Sequence, residues 1–144
     1  MSFMSGEALA FVDTNVLVYA YDVTELERRS KAQRLLTELM ASNRLRLSTQ
    51  VLQELYVTLT QKIRSPLSAD QALPILEHFA AWPVQTTDFA LIRDAVHLSK
   101  DAVLSFWDSL IVLAAVRSSA EVLYTEDLNH GQRILGVEVR NPFA

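Results

Sequence analysis

The sequence contains no cysteine, which excludes disulfide bonds, zinc sites built on thiolates and cysteine nucleophiles. Such a chain suits a reducing compartment, and we expect a cytoplasmic protein. A long hydrophobic run is also missing, because the most apolar segment, LIVLAAV at 110–116, is far shorter than the roughly 20 residues of a membrane span. The stretch 1–13 has neither the basic segment nor the apolar length of a signal peptide. We therefore expect no contact with a membrane.

Positive charge is also scarce, since 13 lysines and arginines face 17 acidic residues and the net charge is −4. The chain thus lacks the strongly basic balance that is typical of nucleic-acid-binding domains. The basic residues are nevertheless unevenly spread, because four of them lie within 28–34. Two interpretations stay open for these four and two later ones, a solvated surface or a phosphate-contacting patch. The six residues are Arg28, Arg29, Lys31, Arg34, Lys62 and Arg64.

Short apolar segments alternate with longer segments of helical periodicity along the chain. The predicted strands cover 8–13, 44–48, 83–87, 121–125 and 136–140. The predicted helices cover 24–41, 49–63, 88–99 and 105–117, and a further helical segment from Ser68 is expected to kink or restart at Pro74. Thr24 and Thr87 are the expected caps of two helices. The alternation predicts an α/β fold with one domain over 1–144, in which helices flank a central, mainly parallel sheet.

Three acidic residues are expected to lie near the carboxyl ends of the predicted strands, where parallel sheets bind their ligands. Asp13 ends the first predicted strand, Asp127 follows Thr125 at the end of another, and Asp108 lies in the first turn of an almost wholly apolar helix. Ligands bind beyond the carboxyl ends of such strands, so we expect these acids to converge. A plainer interpretation exists for each, because aspartate is a preferred cap and is favourable in a first helical turn. Periodicity does not select Glu54, which points away from the apolar stripe of its helix.

Converging carboxylates carry a chemical consequence. They repel one another, so some must take up protons unless a cation lies between them. A site made only of carboxylate oxygens suits Mg²⁺ or Mn²⁺. Such an ion makes a bound water a better nucleophile and stabilises the charge that develops on phosphate oxygens. We therefore interpret the acids as a device for hydrolysing a phosphodiester bond.

Four segments resemble, in order and spacing, the PIN-domain ribonucleases and in particular the VapC-type toxins of bacterial toxin–antitoxin pairs. These segments are FVDTNVLVYAYD, TQVLQELY, LSFWDSLIVLAA and LYTEDLNHGQRILGVEVRNPF, and the likeness extends over 10–143. The resemblance implies four catalytic and metal-binding acids, namely Asp13, Glu54, Asp108 and Asp127. It implies three supporting polar residues, namely Thr14, Asn15 and Thr125. It further implies RNA as the substrate, Mg²⁺ or Mn²⁺ as the cofactor, a homodimer, and a small VapB-type antitoxin as partner.

Two other functions stay open on the residues alone. One is a phosphohydrolase or phosphotransferase with Asp13 as a covalent nucleophile, although Asn15 stands where such enzymes usually carry a second aspartate. The other is a non-catalytic interaction module whose acids are caps and solubilising groups. Stabilisation by a divalent metal would distinguish this module from an enzyme, because caps gain little from an ion.

The histidines and tryptophans are expected to serve structure. His78, His97 and His130 lack the spacing that is typical of metal ligands, so we expect each to be structural or solvated. His130 has contact with a substrate as its alternative, because it follows closely on the last acid. We expect Trp82 and Trp107 to lie in the core or in an interface rather than to stack on nucleic-acid bases.

Overall fold

The strands and helices alternate along the chain, as the sequence predicts. The structure, a computed structural model, describes residues 8–144, so the expectation about a signal peptide falls largely outside the described residues. Within this range the strands are β1 (Ala10–Val12), β2 (Leu45–Ser48), β3 (Val84–Gln85), β4 (Val122–Tyr124), β5 (Arg133–Ile134) and β6 (Val137–Arg140). The helices are α1 (Thr14–Tyr19), α2 (Leu26–Ala41), α3 (Thr49–Val57), α4 (Ala69–Ala80), α5 (Phe89–Ala102) and α6 (Phe106–Arg117).

The strands form one sheet in the order β3-β2-β1-β4-β6-β5. Every neighbouring pair is parallel except β5 and β6, which are antiparallel. Strand β1 lies near the centre, where Phe11 is in register with Arg46 of β2 and with Leu123 of β4. The predicted α/β fold with a mainly parallel sheet is therefore confirmed. The carboxyl ends of β1 and β4 lie side by side, which brings the residues that follow these strands together.

The core lies between the sheet and the helices that cover it. Phe11, Leu47 and Leu123 of the sheet are completely buried. Helix α6 is buried from Ser109 to Ala115 because it packs against both α5 and the sheet, and this position explains its apolar sequence all round. Among residues 8–144, no helix combines the length and the apolar character that crossing a membrane requires.

Two predicted helix caps are wrong. Thr24 does not cap α2, because its hydroxyl donates to Asp22 Oδ1 at 2.6 Å and its amide donates to the same oxygen at 3.0 Å. The upstream carboxylate thus competes for the threonine, and α2 begins at Leu26 without a side-chain cap. Helix α5 is capped by Asp88, whose Oδ1 accepts the Leu91 amide at 2.8 Å.

Of the kink or restart expected at Pro74, the restart is wrong, because helix α4 runs through this residue. Ser68 and Gln71 form the predicted capping box, and α4 then continues through Pro74 to Ala80. A proline inside a helix leaves the carbonyl four residues earlier without its donor. That carbonyl belongs to Asp70, and both residues are exposed, so water can satisfy it. Helix α3 likewise does not end cleanly, because a π-helical turn, Thr58–Lys62, extends it.

Helix α1, strand β5 and the left-handed conformation of Val103 were not predicted. Helix α1 has only six residues, and the strand pair β5–β6 turns through Leu135 and Gly136, both of which have positive φ. Val103 joins α5 to α6 with φ 54°, a left-handed conformation that β-branched residues rarely adopt. The connection by way of Val103 sets the start of α6, where Ser105 is the cap.

Candidate active site

Asp13 lies at the carboxyl end of β1, where it caps α1. Its Oδ1 accepts the Thr14 amide at 2.7 Å, and its Oδ2 accepts the hydroxyl of Thr125 at 2.9 Å. Thr125 reaches this position because it follows β4, the parallel neighbour of β1. The Asp13 side chain is almost fully buried, with 5% exposure. Both carboxylate oxygens are thus fixed by neutral donors at the edge of the sheet.

Asn15 links α1 to the turn after β4. Its Nδ2 donates to Asp127 Oδ2 at 2.9 Å and to Thr125 Oγ1 at 3.3 Å, while its Oδ1 accepts the Glu126 amide at 3.3 Å. The Asp127 amide in turn donates to Thr125 Oγ1 at 3.1 Å. The three polar residues that the resemblance assigns to the site therefore do contact its acids.

Glu54 comes from α3 and reaches the same edge. Its Oε1 accepts the Thr14 hydroxyl at 3.0 Å, and its Oε2 accepts Gln50 Nε2 at 3.2 Å. Gln50 is buried, and its Nε2 also lies 3.4 Å from the backbone carbonyl oxygen of Trp107. Gln50 therefore ties α3 to the first turn of α6. Gln50 is not among the residues predicted for the site, although its spacing of four from Glu54 on one helix was an available signal.

Asp108 lies in the first turn of α6, where its amide donates to Ser105 Oγ at 3.0 Å. Its side chain is partly buried and lies beside the cleft that the other acids line, rather than within the cleft wall. Its charge nevertheless interacts with those of Glu54 and Asp127. The structure thus brings Asp13, Glu54 and Asp127 into one cleft and places Asp108 next to it.

Burial and mutual repulsion disfavour negative charge at this edge of the sheet. Burial is the main reason that the pKa of Asp13 rises to about 7, and the charges of Asp127 and Glu54 raise it further. The hydrogen bonds from Thr125 and Thr14 partly offset this rise. The pKa of Asp108 is raised by burial first and then by the same two acids. Within the described part of the chain, no lysine, arginine or histidine forms an ion pair with any of the four.

These acids fit a hard divalent cation by their chemistry, since all of their donor atoms are carboxylate oxygens. Among residues 8–144, no three histidine or acidic side chains stand close enough to enclose one ion directly. Mg²⁺ is commonly held by one or two carboxylates and keeps several waters. The arrangement therefore suits an ion that is bound partly through water.

The cleft has a volume of about 1040 Å³ and carries charges of both signs. Five acidic residues line it, namely Asp13, Asp22, Glu25, Glu54 and Asp127, and the basic residues Arg28, Lys62 and Arg64 line it as well. Three of the six basic residues from sequence analysis therefore reach the cleft. Arg29, Lys31 and Arg34 lie outside this lining, and Lys31 pairs with Glu27 at 3.9 Å. An anionic ligand that bridges a metal and a basic rim would fit this distribution of charge.

A hydrogen-bonded and stacked group holds Arg28 at the cleft. Its Nη1 donates to the Tyr19 hydroxyl at 3.0 Å, and its guanidinium carbon lies 5.2 Å from the centre of the Tyr19 ring and 5.8 Å from that of Phe143. The Tyr19 hydroxyl donates to Glu126 Oε1 at 2.9 Å. Arg28 is thereby tied to the turn that carries Asp127.

His130 does not line the cleft, and its Nδ1 accepts the backbone amide of Asn141 at 2.9 Å. Trp82 packs partly buried against the core, as expected. The prediction for Trp107 is wrong with respect to the core, because 62% of this residue is exposed and it lines the cleft. Its location one residue before Asp108 explains this, since the start of α6 emerges from the core at the cleft.

Comparison with known proteins agrees with this geometry. The sequence profile of one protein family, described as the PIN domain, matches residues 10–133. The matched range contains all four acids and the three polar residues that contact them. The search of curated proteins found no match to the chain.

Proposed function

The chain belongs to the PIN-domain family, whose members are generally nucleases, and from this premise we propose that it is a metal-dependent endoribonuclease acting as the toxin of a VapBC-type pair. One observation carries the nuclease proposal. Asp13, Glu54 and Asp127 line one cleft with Asp108 beside it, the pKa values of Asp13 and Asp108 are raised, and no lysine, arginine or histidine among residues 8–144 forms an ion pair with any of the four. The basic residues of the same cleft supply contacts for a phosphate backbone.

Asp13, Glu54, Asp108 and Asp127 would hold Mg²⁺ or Mn²⁺, directly or through water. When bound, the ion supplies an activated water and a positive charge for the phosphate oxygens. The carboxylates orient it, and their own orientation depends on neutral donors. The Thr14 hydroxyl and the Gln50 amide fix Glu54, the Asn15 amide fixes Asp127, and the Thr125 hydroxyl fixes Asp13. No side chain needs to form a covalent intermediate.

RNA as the substrate, a homodimer and neutralisation by a small VapB-type antitoxin complete the proposal. They rest on the resemblance of the sequence to VapC-type toxins. The cytoplasmic location and the assignment of residues 1–144 to a single domain stay predictions of the sequence.

The alternative of a covalent Asp13 nucleophile has less support. Both oxygens of this carboxylate already accept hydrogen bonds, and the side chain is 5% exposed, so an in-line approach to a phosphorus atom is restricted. A purely structural role for the acids is also disfavoured, because a cap gains nothing from neighbouring carboxylates that raise its pKa.

The decisive experiment measures cleavage of single-stranded RNA by the purified chain with Mg²⁺ or Mn²⁺ and with EDTA. We expect cleavage only with the metal, none from Asp13→Asn, and full activity from Asp70→Asn, whose acid lies exposed in the first turn of α4. Equal activity of the Asp13 variant, or full activity in EDTA, would contradict the proposal.

The toxin role has its own test. Expression of the wild-type chain in bacteria should arrest growth, expression of Asp13→Asn should not, and a co-expressed VapB-type antitoxin should restore growth. A chain that cleaves RNA in vitro but leaves growth unaffected would remove the toxin role and leave the nuclease in place.

A further inference from the structure

Trp107 occupies a position that packing does not explain. Tryptophan is largely buried in most proteins, yet 62% of this residue is exposed. The other tryptophan, Trp82, follows the rule and packs against the core. Trp107 is not at an arbitrary place on the surface, because it lines the cleft and precedes Asp108 in the chain. Its exposed aromatic surface is therefore presented to whatever the cleft binds.

The base of this side chain is well supported. The Phe106 ring meets the Trp107 ring edge to face, with 5.2 Å between centroids and an interplanar angle of 74°. The backbone carbonyl of Trp107 lies 3.4 Å from Gln50 Nε2, which links it to α3. The indole thus lies on the first turn of α6, and the rest of this helix is buried from Ser109 to Ala115. An aromatic platform on a rigid element loses little conformational entropy on binding.

The remaining lining of the cleft indicates which ligand this platform suits. Arg28, Lys62 and Arg64 provide positive charge for phosphates, and Val57, which is 37% exposed, extends the apolar surface. A single-stranded nucleic acid offers both complements, because its backbone is anionic and its unpaired bases have free faces. In a duplex these faces are covered by stacking. A protein partner would not need the basic and acidic groups to share one cleft with the indole.

We propose that Trp107 stacks on an unpaired base of the nucleic acid in the cleft, next to the phosphate that the acids address. This inference deepens the proposed function and rests on it for the identity of the strand as RNA. Trp107 is then a binding residue that selects single-stranded over duplex substrate and positions the strand relative to Asp108.

The first test uses the chain's own fluorescence. In an Asp13→Asn background, which prevents cleavage, Trp82→Phe leaves Trp107 as the only tryptophan. Titration with a single-stranded RNA of about 10 nucleotides, within the site sizes of known strand-binding grooves, should quench this emission. The same RNA should leave the emission unchanged in the Trp107→Phe chain, which retains Trp82. Fluorescence anisotropy of labelled RNA shows the concentration at which binding is saturated. If Trp107 emission is not quenched at that concentration, the proposal is overturned.

The second test measures affinity. Trp107→Leu should weaken binding of the single strand by about tenfold, whereas Trp107→Phe should retain most of it, because loss of a stacked aromatic removes a sequence-tolerant contact. Phe89→Leu is the matched control, since Phe89 is also exposed, at 72%, but lies on α5 outside the cleft lining. With an abasic strand of the same length, wild type and Trp107→Leu should bind equally.

The outcomes separate this inference from the proposed function. If the wild type cleaves RNA and Trp107→Leu shows unchanged affinity and KM, stacking is excluded and the nuclease stands. If Trp107→Leu leaves RNA binding unchanged but alters the oligomeric state or antitoxin binding, the indole belongs to a protein interface and the proposal falls. If no RNA is cleaved but strands still quench Trp107, the nuclease falls and the stacking site stands.

Discussion

Two groups of acidic residues in this protein differ in how their charge is compensated. On the outer helices, Asp88 Oδ1 and Asp94 Oδ2 accept hydrogen bonds from the Arg117 guanidinium at 3.1 and 2.9 Å. The Leu91 amide and then Arg117 hold the pKa of Asp88 below its usual value. At the carboxyl edge of the sheet the donors are neutral, and the pKa of Asp13 is raised instead.

The comparison separates structural acids from acids that are suited to a ligand. The first group has its counter-charge built into the chain, so an added ion has little to neutralise. In the second group, burial and repulsion disfavour the charged state, and a bound cation would remove that penalty. An acidic group whose donors are neutral and which lines a cleft is therefore the stronger candidate for function.

The largest expected difference is in catalysis. Asp108→Asn should lower RNA cleavage more than about a hundredfold, since loss of a residue that merely supports a metal ligand already costs about tenfold to a hundredfold. Asp94→Asn, its counterpart in the arginine-paired group, should stay within about twofold of wild type. Turnover of single-stranded RNA at saturating Mn²⁺ measures both. Equal losses in the two variants would erase the distinction between the groups.

The next difference concerns a neutral donor. Gln50→Leu should raise the Mn²⁺ concentration for half-maximal activity by about tenfold or more, because Glu54 loses the amide that fixes its Oε2. Thermal stabilisation by Mn²⁺ should shift to higher concentrations in parallel. Gln53→Leu is the matched control, as Gln53 lines the same cleft but is exposed. An unchanged metal titration for Gln50→Leu would show that Glu54 does not depend on this contact.

The pH dependence of the free energy of unfolding should differ between the wild type and Asp13→Asn, and the pKa of Asp13 sets the sign of the difference. Its pKa is about 7 in the folded chain, against an ordinary value of 3.8, so the folded state holds the proton more tightly. In metal-free protein the resulting stability is complete below pH 4 and is lost as the pH rises to about 7. Asp13→Asn should lack this part of the decline, on the order of 4 kcal/mol. Urea unfolding in EDTA between pH 4 and 8 measures it, and identical slopes would contradict the raised pKa.

The smallest expected effect is on thermal stability, from removal of the arginine that pairs with Asp88 and Asp94. Arg117→Gln should lower the Tm by about 3 °C, because it removes contacts between partly exposed side chains, and should leave RNA cleavage unchanged. Thermal unfolding and the RNA assay measure the two effects. Loss of activity in this variant would mean that the Arg117 pairs also shape the cleft through α6.

The sequence was sufficient for the strands and helices other than α1 and β5. It was also sufficient to place Asp13 and Asp127 after strands and Asp108 in the first turn of α6, because strand ends and the first turn of an apolar helix are local signals. Glu54 has no such signal. Its position depends on Thr14, forty residues earlier, through packing of α1 against α3. Pattern analysis alone did not select it, and only the resemblance to a family did.

The elements that were missed depend on tertiary structure or on unusual turn residues. Helix α1, with six residues, is shorter than a helix that is stable by itself, and it forms because Val16 and Leu17 are completely buried. The β5–β6 turn uses Leu135 and Gly136 with φ of 51° and 85°, whereas such turns usually carry asparagine or aspartate before the glycine. Helix α4 does not restart at Pro74, because solvent can replace the lost hydrogen bond.

The left-handed backbone at Val103 has a practical consequence. A non-glycine residue in this conformation costs roughly 1 to 2 kcal/mol, and the Val103 side chain, which is 90% exposed, recovers almost none of that by packing. Replacing Val103 by glycine in the connection from α5 to α6 should therefore raise the free energy of unfolding. Because the strained residue lies five positions before Asp108, this substitution would stabilise the protein without changing any of the four acids.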